Sequence, residues 1–331
     1  MVRALRSNGS DLPIQTEDIR TIEQWATQGE GLLWVDICDP EPAEASAEAL
    51  HLLGHVFAFH PLAVEDALIE THIPKVDDWG SYLYLVLHAV HFANDDIETR
   101  ELDIFIGANY LVTYRTQEIH ALTHQWRVVQ RDARRVQRGV DYLLYELCDA
   151  IAADYLPVMD AIEEAVDGAQ DAVFEQTTDG QVLKRLFKLK RAVLDLRRIL
   201  APQREVLNKL ARGDFPMIDP RDRMYFRDVY DHHVRLTDLN ESLRDVVGGV
   251  LETYLSVAAN RTNEIVKTLT IVSLMFLPLT FITGFFGMNF FGSSIELIFE
   301  APKWPFFLAG MAVMAALPLA LLVYIRRRGW W

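Results

Sequence analysis

The pattern of hydrophobic and polar positions changes twice along the 331-residue chain. Up to about residue 116, short runs rich in β-branched and aromatic residues alternate with helical patterns, which predicts a mixed α/β domain. From about residue 118 to residue 219 apolar residues recur at helical spacing, and the turn sequence "TTDGQ" (177–181) predicts an antiparallel helical hairpin. No proline lies between Pro220 and Pro278, so one long helix is expected to follow.

Within the α/β part, four runs have strand character and two have helix character. Strands are expected at "GLLWVDI" (31–37), at "YLYLVLHAVHF" (82–92), and at "LDIFIG" and "YLVTYR", which flank a turn at Ala108-Asn109. Helices are expected at "PAEASAEALHLLG" and "HPLAVEDALIE". In the second arm of the hairpin, Pro202 predicts a kink.

Two long runs near the C-terminus carry no charge. The 28 residues between Lys267 and Glu296 and the 22 residues between Lys303 and Arg326 contain no Asp, Glu, Lys or Arg. A bilayer core about 30 Å thick needs about 20 apolar residues in a helix, so both runs predict membrane spans.

The predicted organisation therefore has six parts. They are a cytosolic α/β domain (1–118), a cytosolic antiparallel helical hairpin (119–219), a stalk helix continuing into a pore-lining first span (220–290), an outer loop (291–303), a second span (304–325) and a basic cytosolic tail (326–331).

Basic residues beside the spans set the expected orientation. Arg261 and Lys267 precede the first span and three arginines at 326–328 follow the second, whereas the loop between the spans holds one base, Lys303. Both termini are therefore expected in the cytoplasm. The protein is expected to cross the cell (inner) membrane twice, with the lipid bilayer as a partner of both spans. The first 20 residues lack the apolar core of a signal peptide.

The formal net charge of −15 is concentrated ahead of the spans, because residues 263–331 hold five basic and only three acidic side chains. An acidic cytosolic region argues against nucleic acid or anionic lipid as its ligand and is compatible with cations. The two cysteines, Cys38 and Cys148, form no CxxC pair, so no disulfide framework is expected.

The long helix has a second pattern, a set of apolar residues at spacings of three and four, which predicts a seam for parallel self-association. The seam consists of Leu236, Leu239, Leu243, Val246, Val250 and Val257, with Thr253 in one slot. A helix over 221–277 would be about 86 Å long. Since two spans cannot enclose a polar pathway, conduction would need several copies around an axis that this helix lines.

Polar residues on the first span indicate the face toward such an axis. The face consists of Asn263, Val266, Leu269, Leu277, Thr280 and Asn289. Its amide oxygens accept hydrogen bonds from the water shell of Mg²⁺, an ion that loses this shell reluctantly. Gly287 leaves the mouth uncrowded and Met288 is soft filler, although this tripeptide alone is also compatible with an ordinary helix end.

Residues 260–290, "NRTNEIVKTLTIVSLMFLPLTFITGFFGMNF", resemble the signature of the CorA family of divalent-metal transporters, in which Gly-Met-Asn closes the first of two C-terminal spans. "YFRDVYDH", "HPLAVEDAL" and "DYLLYELCDAIAADY" are similar to stretches of that family's cytosolic domain. The resemblance runs from about residue 30 to the end. It implies a CorA-like homopentameric funnel, with an α/β domain, a long helical stalk and two C-terminal transmembrane helices.

The resemblance also implies a role for individual pore residues. The implied selectivity and pore positions are Gly287, Met288, Asn289, Thr280, Leu277, Leu269, Val266 and Asn263. Val266 and Leu277 stand where some members have methionine constrictions, and Phe286 stands where a tyrosine is usual. The outer loop lacks the familiar Met-Pro-Glu-Leu, but Glu296 and Glu300 would attract cations by their field.

A regulatory Mg²⁺ site shared between neighbouring copies is implied in the same way. Asp66, from "VED", and Asp228, from "FRDVYD", match the two aspartates that meet across the subunit boundary. Glu65 and Asp149 match accessory acidic ligands. Carboxylates held close together repel each other, and a divalent cation turns that repulsion into attraction.

The expected function is influx of Mg²⁺, and also of Co²⁺ or Ni²⁺, driven by the membrane potential and gated by cytosolic Mg²⁺ at subunit interfaces. The chain has no G-x-x-x-x-G-K-[ST] phosphate cradle of a pump, and an enzyme is the least favoured class. Two alternatives stay open: a Zn²⁺ transporter of the related zinc branch, and a non-conducting membrane-anchored metal sensor or scaffold. His51 and His55 have a spacing that suits zinc, but the sequence shows no third ligand.

Overall fold

The computed structural model describes residues 1–8, 12–40, 47–70, 73–132, 135, 137–174, 180–287 and 303–328. The chain divides into two compact units, Met1–Thr253 and Tyr254–Trp331. The predicted domain boundaries at residues 118, 219, 290, 303 and 325 stay predictions.

The first unit contains a mixed β-sheet. Its strands within the described residues are β1 (Val2–Ser7), β2 (Ile14–Thr16), β3 (Leu32–Cys38), β4 (Lys75–Asp78), β5 (Leu83–Ala93), β6 (Asp96–Ile106) and β7 (Tyr110–Arg115). They are ordered β2-β1-β3-β7-β6-β5-β4, with β3 and β7 parallel and all other neighbours antiparallel. The predicted strands and the hairpin at Ala108-Asn109 are confirmed, whereas β1, β2 and β4 have no counterpart in the prediction.

The described helices are α1 (Ile19–Gln28), α2 (Ala47–Leu50), α3 (Pro61–Leu68), α4 (His120–Arg131), α5 (Val140–Phe174), α6 (Gly180–Arg212), α7 (Arg223–Gly287) and α8 (Lys303–Arg327). A π-helical turn, His51–Val56, follows α2 directly, so the predicted helix "PAEASAEALHLLG" is only partly α-helical. Apolar periodicity over so short a segment does not distinguish the two helix types. Residues 42–46 of that prediction lie outside the described residues. Helix α6 continues through Pro202, and the kink there stays a prediction.

Helices cover both faces of the sheet. On one face, side chains such as Val86 pack with α1, the π-helical turn and α3 in a single apolar cluster. On the other face, the ring of Trp34 lies 4.7 Å from the ring of Trp126 on α4, and α5 packs against β5. Because both faces are buried, the central strands are continuous apolar runs rather than alternating ones.

The N-terminal part of α7 buries one stripe of side chains inside the first unit. Its members recur at spacings of three and four and are Phe226, Val229, His233, Leu236, Asn240, Leu243, Val247 and Val250. The stripe faces α6, because the side-chain amide of Asn240 donates to the backbone carbonyl of Val193 at 3.3 Å.

This stripe corrects the predicted self-association seam. Leu236, Leu243 and Val250 are buried inside the chain, with 2%, 7% and 3% exposure, whereas Leu239 and Val246 are 46% and 43% exposed. The prediction is therefore wrong for three of the six seam residues. The physical reason is that a helix packed on another helix of its own chain has the same repeat as one packed on a second copy, so the spacing does not identify the partner.

The second unit contains the remainder of α7 and helix α8. Each of these helices contains a stretch long and apolar enough to cross a membrane. The chain buries 0% of the stretch in α7 and 6% of the stretch in α8. The two uncharged runs are thus helical over their described residues, and the chain itself does not cover their apolar surface. Such surface is stable in lipid or against other protein, not in water.

Candidate pore and regulatory metal sites

Six predicted pore residues lie in the described part of α7. Besides Gly287, five of them have side chains that are exposed in the single chain. They are Asn263, Val266, Leu269, Leu277 and Thr280. At about 100° per residue they occupy about a third of the helix circumference. The structure therefore places them on one broad face that is free to meet other molecules, and their role as a pore lining stays a prediction.

Thr280 illustrates what a hydroxyl on this face offers to a ligand. Its Oγ1 donates to the backbone carbonyl of Phe276 at 2.9 Å, and Thr270 donates to Val266 in the same way at 2.8 Å. Because the backbone takes the proton, only the oxygen lone pairs remain for another partner. A group that only accepts is suited to a hydrated cation, since water bound to the cation donates its hydrogens outward.

The predicted selectivity tripeptide, Gly287-Met288-Asn289, lies at the limit of the described residues. Gly287 is the last residue of α7. Met288, Asn289, Glu296 and Glu300 lie outside the described residues. The selectivity role of the tripeptide and the attraction of cations by the loop stay predictions.

Asp66, on α3, is paired with a cation of its own chain. Its Oδ2 accepts a hydrogen bond from Nζ of Lys75 on β4, and the same ammonium lies 3.1 Å from Oδ2 of Asp77. Nζ also lies 5.1 Å from the ring centroid of Tyr84. Partial burial lowers the pKa of Lys75, the two carboxylates raise it, and the net shift is upward. The neighbouring Glu65 is exposed.

Asp149 on α5 and Asp228 on α7 lie close enough to influence each other electrostatically. Oδ1 of Asp149 lies 3.8 Å from Nδ1 of His232, which follows Asp228 by one helical turn. Partial burial raises the pKa of Asp149, His232 lowers it and the charge of Asp228 raises it, with a net upward shift. Asp228 is exposed, so its carboxylate is accessible to a second molecule.

The two halves of the predicted regulatory site are separate sets of contacts in one chain. Asp66 is bonded to Lys75, whereas Asp228 neighbours Asp149. In the part of the chain that the structure describes, no group of three or more His, Cys, Asp or Glu side chains is arranged to hold a metal ion. Each half offers the hard carboxylate oxygens that suit Mg²⁺, but neither supplies a full set of ligands alone.

Buried polar groups connect the sheet to α7. The pairing of β5 with β4 ends at Val86, so the next edge groups of β5 need other partners. The N–H of His88 donates to Oε1 of Gln203 at 2.8 Å, and its carbonyl accepts from the hydroxyl of Tyr155 at 2.7 Å. Nε2 of Gln203 lies 3.4 Å from Nε2 of His233 on α7. Burial lowers the pKa of His233 to about 4, so its ring is neutral at pH 7.

These buried polar groups form a row that continues along the sheet. Nε2 of His88 lies 3.3 Å from Oε2 of Glu101, and the hydroxyl of Tyr84 donates to Oδ1 of Asp103 at 2.6 Å. Burial, and then the charge of Glu101, raise the pKa of Asp103 well above its usual range. The row thus extends from Tyr84, beside the ammonium of Lys75, to the vicinity of α7.

The sequence reasoning missed several of these residues. His232 had a usable signal, because a spacing of four from Asp228 places both on one helix face. Glu101 and Asp103 had a weaker one, two acids on the same side of an apolar strand. Lys75 had none, because no spacing rule connects a strand residue to a helix residue nine positions earlier.

An α/β domain whose last helix continues into apolar, unburied sequence defines a membrane protein with a large domain outside the bilayer. The profile of the "CorA-like Mg2+ transporter protein" family matches residues 29–327. The chain belongs to this family.

Individual relatives agree with that assignment. The cobalt/magnesium transport protein CorA of Thermotoga maritima is 33% identical over 288 residues, which are 86% of this chain and 80% of that protein. The complete structure of the CorA magnesium transporter from Methanocaldococcus jannaschii matches with a TM-score of 0.83 and 25% identity, and the match covers 100% of this chain and 99% of that one. The zinc transport protein ZntB of Yersinia pestis is 23% identical over 241 residues, 70% of this chain and 71% of that protein.

The expected fold is therefore confirmed as that of CorA, with an N-terminal α/β domain, a long helix and a C-terminal apolar helix. The protein is a divalent-cation transporter of the cell membrane.

Proposed function

We propose that several copies of this chain, five by analogy with CorA, surround a pore that admits hydrated Mg²⁺ to the cytoplasm, with Co²⁺ and Ni²⁺ as further substrates. The observation that carries the proposal is the exposed face of α7, which combines apolar side chains with a hydroxyl whose proton is already bonded. Residues 268–287 contain no ionisable side chain, so nothing there would hold a divalent ion too tightly to release it.

The chemistry of the face suits an ion that keeps its water. The amides of Asn263 and Asn289 accept hydrogen bonds from the ion's water shell at the two ends of the pathway. Between them, Leu269 and Leu277 offer no ligand, so the ion is not trapped midway. The membrane potential supplies about 2.3 kcal/mol per charge per 100 mV, or about 4.6 kcal/mol for a divalent ion, which drives influx without ATP.

The proposed gate is the boundary between copies. Asp66 of one copy and Asp228 of the next would hold a regulatory Mg²⁺, with Glu65 and Asp149 as accessory ligands. When bound, the ion supplies the positive charge that keeps these carboxylates together. Without that ion nothing joins Asp66 of one copy to Asp228 of the next, the copies move apart and the pathway opens. Both termini lie in the cytoplasm in this proposal, so the gate responds to cytosolic Mg²⁺.

Ion flux into proteoliposomes, at low and high internal Mg²⁺, tests both parts of the proposal. We expect Asn289→Ala to lower Mg²⁺ entry about tenfold, the effect of losing about 1.4 kcal/mol of stabilisation of the ion. The matched control is Asn208→Ala, which removes an exposed amide from α6 and should leave entry unchanged. Unchanged flux in Asn289→Ala would contradict a pore and favour the non-conducting sensor or scaffold.

The gate is tested in the same vesicles with Asp228→Lys. The introduced ammonium replaces the charge of the regulatory ion, so entry should no longer depend on internal Mg²⁺. If high internal Mg²⁺ still closes this variant as it does the unmodified protein, the gate lies elsewhere.

Zinc transport is the second candidate, and the observation that favours it is the similarity of the chain to ZntB over most of its length. The predicted histidine pair does not add to it. Oε1 of Glu23 lies 2.6 Å from Nε2 of His51, and the rings of His51 and His55 stack at 5.6 Å, but no group of three or more His, Cys, Asp or Glu side chains among the described residues is arranged to hold a metal ion. Zn²⁺ entry that exceeds Mg²⁺ entry in the flux assay would favour this candidate.

A further inference from the structure

We propose that Lys75 is a tethered cation that competes with the regulatory divalent ion for Asp66, and thereby sets the Mg²⁺ concentration at which the gate responds. This inference rests on the proposed regulatory site at Asp66. It adds a residue that the family resemblance does not supply.

The ammonium of Lys75 occupies the place of a bound cation. It is bonded to Oδ2 of Asp66 and lies 3.1 Å from Oδ2 of Asp77, so two carboxylates converge on one positive charge. A cation between two carboxylates is also the arrangement that a small divalent ion would adopt. The side chain of Lys75 is 29% exposed and those of Asp66 and Asp77 are 42% and 44% exposed, so an ion from solvent reaches the same oxygens.

A divalent ion and this ammonium cannot share Asp66 at low cost. Two positive charges within about 4 Å repel each other by several kcal/mol when the site is partly shielded from water. Binding at Asp66 is therefore an exchange, in which the ammonium leaves as the divalent ion arrives. Lys75 has room to leave, since β4 is the last strand of the sheet order and the four-carbon stem rotates freely.

The surroundings of Asp66 strengthen the competition in an assembly. Leu62, one helical turn before Asp66 on α3, and Ile69, the residue that follows α3, are both exposed apolar side chains. A neighbouring copy that covers them would exclude water from the ion pair. Attraction between Lys75 and Asp66 would then increase, because charges interact more strongly where water is absent.

The experiment measures Mg²⁺ binding to the full-length protein in detergent, without relying on transport. Protection from chymotrypsin and the shift of the thermal unfolding midpoint are each titrated with Mg²⁺. We expect Lys75→Met to lower the half-saturating Mg²⁺ concentration about fivefold, which corresponds to about 1 kcal/mol, the upper end for a partly exposed ion pair. Lys75→Gln, similar in length and uncharged, should do the same and serves if the methionine variant does not fold.

Two controls isolate the charge at this position. Lys75→Arg keeps a cation in place and should titrate like the unmodified protein. Lys188→Met removes a lysine whose Nζ bonds to the backbone carbonyl of Asn94, and it should also titrate normally.

The inference and the site it rests on fail in different ways. If Asp66→Ala weakens Mg²⁺ binding while both uncharged variants of Lys75 titrate like the unmodified protein or more weakly, the competition is overturned and the regulatory site stands. If Asp66→Ala leaves the titration unchanged, the regulatory site itself is contradicted.

Discussion

Helix α7 passes through two different environments, and the contrast shows what each half of it requires. Over residues 226–250 it buries a continuous stripe against its own chain, and two members of that stripe, His233 and Asn240, are polar. Over residues 255–284 no side chain is buried. The first half thus has its packing partner within one chain, whereas the second half presents apolar side chains that its own chain does not cover.

Polar side chains in the two halves find their hydrogen bonds differently. In the first half, Asn240 donates across to α6 and His233 lies beside Gln203. In the second half, Thr280 and Thr283 donate to carbonyls one turn back in their own helix. A polar group can be buried against another element only where that element supplies a partner, and otherwise the helix backbone must serve.

The largest expected effect is a difference in stability between the alanine variants of two leucines in the first half of α7. Leu236→Ala should destabilise the protein by about 2–5 kcal/mol, because it opens a cavity in a packed stripe. Leu239→Ala makes the same change at an exposed position and should cost less than about 1 kcal/mol within the chain. Thermal unfolding of both variants in detergent measures the difference, and equal losses would contradict the assignment of the stripe to α6.

The next effect concerns the neutral histidine of that stripe. The pKa of His233 is about 4 in the folded chain and about 6.5 when unfolded, so its stabilising contribution is present above pH 6.5 and is lost as the pH falls toward 4. The loss amounts to roughly 3 kcal/mol over that interval.

His233→Gln removes this titration and keeps a side chain that hydrogen-bonds to Gln203. Its unfolding midpoint should fall less steeply between pH 6.5 and pH 4 than that of the unmodified protein. Parallel pH profiles would show that the pKa of His233 is the same in the folded and unfolded chains, which contradicts the burial described for it.

The smallest expected effect is on Mg²⁺ entry, and it tests the proposed pore face on the second half of α7. Thr280→Val removes a hydroxyl from the proposed pore face and should lower Mg²⁺ entry by up to about fivefold, the value of one hydrogen bond of about 1 kcal/mol. Thr268→Val removes a hydroxyl bonded to its own backbone in the same way, but on the far side of the helix. It should leave Mg²⁺ entry unchanged, and equal reductions in both variants would indicate that the pore face is misassigned.

The sequence was informative wherever a local signal decided the structure. The absence of proline between Pro220 and Pro278 predicted the long helix, and the strand–turn–strand pattern around Ala108-Asn109 predicted its hairpin. The predicted self-association seam was wrong for three residues because the spacing of apolar residues shows that a helix face is buried but does not identify what covers it. The pairing of Lys75 with Asp66 was equally inaccessible, since it depends on how β4 and α3 meet in three dimensions. The roles of the pore and regulatory residues depend on contacts between copies, which neither one sequence nor one chain contains.

The side chains that complete the edge of β5 have a consequence for how copies associate. Where β4 stops, Tyr155 and Gln203 satisfy the backbone of His88, so a foreign strand finds no unpaired N–H or carbonyl at that residue. At the opposite edge β2 has only three residues. Strand addition is thereby discouraged at β2 and at the part of β5 that extends beyond β4. Such a domain can crowd against its neighbours at high local density, as subunits of the proposed assembly must, without merging their sheets into an aggregate.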